Sequence, residues 1–142
     1  MKIVESKDNS RFKFWKKLKD KKQRKESGRL LVEGVVVIEE VMAVGFVEEL
    51  IVDKEKLDSL GDQILEAKVP VTALKSTLFK QLTATETNQG MIALCRSFLV
   101  DEEALPEEGR FLYADGVQDP GNLGGMIRSA EAFHFDGVLI GP

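Results

Sequence analysis

The stretch Phe111-Leu-Tyr-Ala-Asp-Gly-Val-Gln-Asp-Pro-Gly-Asn-Leu-Gly-Gly-Met-Ile-Arg128 carries more structural instruction than any other part of this 142-residue chain. Its apolar start, Phe111–Asp115, reads as a short buried strand, and Gly116–Gly121 is turn-rich. Within that turn, Asp119-Pro120-Gly121 suits a tight corner, because Pro presets φ and Gly tolerates positive φ. Asn122 stands where a helix N-cap belongs, and a helix is predicted from there to His134. Leu123, Met126, Ile127, Ala130 and Phe133 share one side of that helix at its period of about 3.6 residues. Gly137–Ile140 is a second apolar strand, so the whole stretch predicts a β–α–β unit.

The opposite side of the predicted helix holds Arg128, with Gly124 one turn earlier on nearly the same line. A bare backbone beneath a guanidinium leaves room for another molecule to approach. The helix N-terminus favours an anion such as phosphate, and Asn122 has both a donor and an acceptor for a hydroxyl. The residues alone leave a second reading open: Gly-rich turns begin many helices, and Arg128 is placed to pair with Glu131. The stretch matches neither the Gly-x-Gly-x-x-Gly dinucleotide spacing nor a phosphate-binding Gly-Lys-Ser/Thr loop.

Upstream, helix and strand signals alternate. A helix is predicted over Ser10–Lys25 with Ser10 at its cap, broken by Ser27-Gly28. Arg29–Glu33 reads as a strand, Val35–Val44 as a buried helix between glycines, and Val47–Val52 as a strand. One or two short helices interrupted at Gly61 follow in Lys54–Ala67, then a strand at Val69–Ala73 and a helix at Ser76–Leu82. Thr83–Asn88 is turn-like and Gly90–Phe98 a closing strand. Alternation of this kind predicts an α/β layer fold. The acidic, Pro- and Gly-containing segment 99–109 is the expected linker, giving a first domain at 1–98 and a second at 110–142. Two strands and one helix cannot enclose a core, and the chain stops just after a strand, so a truncated second domain is expected.

Charge is distributed unevenly. Residues 1–29 carry twelve Lys or Arg against four acids, while the other 113 carry eight basic and twenty acidic groups. A basic head interleaved with Phe12, Phe14 and Trp15 suits a nucleic acid, with phosphates to neutralise and bases to stack. The alternative is a solvated helix whose aromatics dock on the domain body. One cysteine, Cys95, and one histidine, His134, build neither a disulfide nor a metal cluster. His134 is expected to act in a helix C-cap and Cys95 as a small buried hydrophobe. Glu33, beside Gly34, is expected to cap the next helix. No apolar run approaches the roughly 20 residues of a membrane span. A soluble cytoplasmic protein without membrane or metal is expected.

The pattern Asp119-Pro120-x-Asn122-x-Gly124-x-x-x-Arg128-x-Ala130-x-x-Phe133 closely resembles the first signature motif of the SpoU (TrmH-like) RNA ribose 2′-O-methyltransferases. Arg29-Leu-Leu-Val-Glu33-Gly34 and Thr87-Asn-Gln-Gly90-Met-Ile-Ala resemble parts of the substrate-binding domain that many of them carry. The resemblance implies an N-terminal α/β/α sandwich like an RNA-binding ribosomal-protein fold, followed by the start of a knotted methyltransferase domain. It further implies a homodimer that uses S-adenosylmethionine to methylate a ribose 2′-hydroxyl of ribosomal or transfer RNA. By motif position, Asn122 and Arg128 are the candidate catalytic residues. The candidate RNA contacts are Lys21, Lys22, Arg24 and Arg29 in the basic head and the bare backbone at Gly124. The family's two downstream motifs, which form the knot and the cofactor pocket, lie outside these residues, so weak or absent cofactor binding by this chain is expected. An RNA-binding module without catalysis is the alternative.

Overall fold

The computed structural model describes residues 1–84, 88–97, 99–100 and 105–141. The readings at Thr87 and Phe98, and part of the linker, lie outside these residues. The chain divides into two compact units, Met1–Leu99 and Val100–Pro142.

The first unit is built on a five-stranded mixed sheet. Its strands are β1 (Lys2–Val4), β2 (Arg29–Glu33), β3 (Val47–Asp53), β4 (Val71–Leu74) and β5 (Met91–Arg96), in the order β1-β4-β3-β5-β2. β4 runs parallel to both β1 and β3, whereas β5 runs antiparallel to β3 and β2. The inner strands are apolar on both faces because helices cover both. Ile51, Ile92 and Leu94 face one core with Phe12, Trp15 and Phe79. Leu50, Val52, Ala93 and Cys95 face the other with Ile38 and Leu60. The two-residue period of a strand sorts neighbours onto opposite sides, and the result is an α/β/α sandwich.

Helices α1 (Ser10–Lys17) and α5 (Ser76–Phe79) pack in the first layer, and α3 (Val35–Ala43) and α4 (Gly61–Glu66) in the second, while α2 (Lys21–Ser27) follows α1 and buries no side chain. Two 3₁₀ turns, Lys54–Lys56 and Asp58–Leu60, precede α4. The single helix expected over Ser10–Lys25 is two. Asn9, not Ser10, caps α1 by accepting from the backbone of Arg11 and Phe12. Asp20 then caps α2 through the N–H groups of Lys22 and Gln23, because a short carboxylate satisfies free N–H groups better than continuing the helix does. Gly28 ends α2 in the left-handed region, at φ 62°. Strand β1 is absent from the sequence reading. It is three residues long, too short to show a period, and only Val4 is buried.

In the second unit β6 (Phe111–Ala114) and β7 (Gly137–Ile140) pair in parallel, connected through α6 (Pro120–Ala132). The β–α–β reading is thus realised, but the expected apolar stripe is not buried as a whole. Ala130 is buried, whereas Ile127 and Phe133 are 43% and 71% exposed. A sheet only two strands wide leaves the edges of the helix uncovered. Among the described residues no helix is long and apolar enough to cross a membrane.

Candidate functional site

Helix α6 begins one turn earlier than expected. Asp119, rather than Asn122, is its N-cap, and the Asp119 carboxylate accepts from the Asn122 backbone N–H at 2.7 Å. Pro120 follows at the first helical position, where its missing N–H costs nothing. This arrangement releases the Asn122 side chain from capping: it is exposed and bonds to no described residue. A Cβ at Gly121 would come within 3.0 Å of the Asp119 carboxylate, so the glycine keeps the cap uncrowded.

Arg128 lies two turns further along. Its Nη1 reaches to 3.5 Å from where a Gly124 side chain would begin, so the guanidinium folds back over bare backbone. Arg128 is exposed and makes no hydrogen bond or ion pair with any described residue, Glu131 included. A permanently charged fork and a carboxamide, neither bonded to a described residue, therefore stand on one helix. Five N–H donors in a plane suit an oxyanion or a phosphate.

The far end of α6 is closed by backbone. His134 sits at φ 56° and donates its N–H to the Glu131 carbonyl, while Phe135 donates to Ala130. These are the two bonds of a Schellman ending. The capping role expected of His134 is accordingly carried by its main chain, and the His134 carbonyl accepts from Arg110 at 2.6 Å.

The basic head of the first unit is less uniform than its composition. Phe12 and Trp15 are 2% and 1% exposed, and Phe14 packs against the same core. Docking of the aromatics on the domain body is therefore the reading the fold realises, and base stacking on Phe12 and Trp15 is overturned. The guanidinium groups of the head are also engaged. Arg11 pairs with buried Glu49 and lies over the Trp15 ring, and Glu49 also accepts from the Thr72 hydroxyl at 2.6 Å. Arg24 donates to the carbonyls of Leu18 and Lys19 at 3.0 and 2.8 Å, closing the end of α1. Arg29 grips Glu48 through Nε and Nη2 at 2.6 and 3.2 Å, and this hydrogen-bonded pairing raises its pKa further above the ordinary arginine value. Of the four candidate head contacts, Lys21 is exposed without a described partner, and Lys22 is exposed with Glu26 3.8 Å away.

Glu33 and Gln89 tie the turn before α3 to the opposite loop. Glu33 accepts from the Ala84 N–H at 2.5 Å, and Gln89 accepts from the Val35 N–H at 2.9 Å. The first N–H of α3 is thus taken by Gln89, where the sequence suggested Glu33. A pairing across 54 residues leaves no local signal.

A profile of the MRM3-like substrate binding domain matches residues 9–93. The 23S rRNA (guanosine(2553)-2′-O)-methyltransferase RlmP of Bacillus subtilis is 39% identical over 143 residues, covering 99% of this chain and 55% of its own length. A crystal structure of an RNA 2′-O ribose methyltransferase superposes with a TM-score of 0.72 at 30% identity, over 97% of this chain and 55% of the other. The SpoU methyltransferase AviRb of Streptomyces viridochromogenes, solved with AdoMet, has the same fold at a TM-score of 0.77 and 24% identity. That match covers 93% of this chain and 52% of AviRb. The chain spans about half the length of the curated relatives it matches.

Proposed function

The chain belongs to the family of the MRM3-like substrate binding domain, whose model matches residues 9–93, and on that premise we propose that it is part of a SpoU (TrmH-like) methyltransferase and serves ribose 2′-O-methylation of ribosomal or transfer RNA. The Met1–Leu99 unit holds RNA, and α6 presents the groups that meet the ribose. The observation that carries this reading is the Arg128 guanidinium, lying over Gly124 and bonded to no described residue.

In this reading Arg128 stabilises charge and does not accept a proton. A guanidinium with a pKa above about 12 is a poor base, yet its N–H groups favour a forming 2′-alkoxide and an adjacent phosphate. Asn122 orients the ribose hydroxyl with its donor and acceptor, and the bare backbone at Gly124 admits the sugar. S-adenosylmethionine is the methyl donor of this reading. Among the described residues the second unit has two strands and one helix, too few to enclose an adenosyl group. We further propose that the protein works as a homodimer in the cytoplasm, as the family resemblance implies.

The test is methyl incorporation into ribosomal RNA by the protein that carries this chain. Arg128→Ala is expected to lower the rate by about 10²–10³-fold, the cost of one stabilising donor, with RNA affinity little changed. An undiminished rate would overturn the assignment.

A further inference from the structure

The two outer faces of the Met1–Leu99 sandwich differ in charge in a way the amino-acid order conceals. Helix α1, with α2 tied to its end by Arg24, and the end of α5 expose Lys17, Lys21, Lys25 and Lys80, none of which bonds through its side chain to a described residue. The opposite layer exposes Glu39 and Glu40 on α3, a helix with no basic residue.

Lys80 belongs to this basic layer although it is more than fifty residues from the head. Lys16 donates to Gln81 at 3.0 Å and Lys19 to the Thr83 carbonyl at 3.2 Å. These two bonds dock the end of α1 against the segment that follows α5, and they bring Lys80 to the same face. The acids there are few, and they are engaged: Asp20 caps α2, Glu26 lies beside Lys22, and Asp8 pairs with Lys13 at 3.0 Å.

We propose that this face tracks the RNA sugar–phosphate backbone, with Lys17, Lys21, Lys25 and Lys80 as its phosphate contacts. The inference rests on the RNA reading above and assigns the surface that would carry it. Two further observations narrow the mode of contact. The arginines Arg11, Arg24 and Arg29, suited to planar bidentate recognition, already commit their N–H groups to Glu49, to the carbonyls that end α1 and to Glu48. The aromatics Phe12 and Trp15 are buried. The exposed cations left without a described partner there are lysines, flexible point charges that neutralise phosphates without reading bases. The face therefore supplies affinity and orientation, and sequence choice lies elsewhere.

The experiment is fluorescence anisotropy with the 142-residue chain and a labelled mixed-sequence RNA hairpin, across a series of salt concentrations. The variant carries Lys17→Gln, Lys21→Gln, Lys25→Gln and Lys80→Gln, with its fold checked by far-UV circular dichroism. Each neutralised contact is expected to remove about 0.7–0.9 from the log–log salt slope. The four together are expected to weaken binding by at least about tenfold at moderate salt. The matching Lys→Arg variant is expected to keep the slope, and Glu39→Gln with Glu40→Gln to leave it unchanged. Tight binding by the native chain with an unaltered slope in the Lys→Gln variant would overturn this face and leave the RNA reading standing. No binding by the native chain, or binding only to phosphatidylserine vesicles, would overturn both.

Discussion

Cys95 illustrates how far a single side chain is governed by its surroundings. It lies on β5 with no exposed surface, and burial, with the nearby negative charge of Glu48, pushes its thiol up to about 11. The thiolate is the reactive form, so native protein is expected not to react with a disulfide reagent at about pH 8, and unfolded protein to react at once. The sign of the pH dependence follows. With the native pKa raised above 9.0, the unfolded chain loses its proton first, and stability falls as pH rises from about 9 to about 11. Urea titrations across that range check this, and Cys95→Ala is expected to flatten the slope. Glu49 is a carboxylate buried in the sheet, where it is held by Arg11 and Thr72. The burial of Cys95 was legible from its apolar strand. The partners of Glu49 were not, since they stand 38 and 23 residues away.

Among the elements, the breaks were harder to read than the bodies. Composition favours one basic helix from Ser10 to Lys25, because Lys and Arg are good helix formers throughout. Asp20 divides it, and the division allows Arg24 to fold back on the carbonyls that end α1. Gly28 is the stop that could be read in advance. It adopts φ 62°, and a Cβ added there would meet nothing within 4 Å, so a side chain at this position incurs only backbone strain. Gly28→Ala is expected to cost about 1–2 kcal/mol, read as a lower urea midpoint with an unchanged slope. A steric clash would give a larger loss. The same logic explains α6. Asp-Pro-Gly-Asn offers two capping residues, and Pro120 at the first helical position selects Asp119.

At the scale of the whole molecule, the two units differ in how far helices cover their sheets. The first has helices on both faces of five strands. The second has two strands, with Tyr113 and Ile140 more than half exposed. Calorimetric titration of the 142-residue chain with S-adenosylmethionine is expected to show no binding in the micromolar range. A micromolar dissociation constant would show that α6 and its two strands suffice to hold the cofactor. The sequence by itself determined the α/β alternation, the β–α–β unit and the pairing of Gly124 with Arg128 on one line of a helix. All three depend on periods and turns that span only a few residues. Tertiary structure alone decided the strand order β1-β4-β3-β5-β2, the burial of Phe12 and Trp15, and which cations stay free. Those outcomes depend on contacts between residues far apart in the chain, where a guanidinium finds its carboxylate only after the sheet has formed.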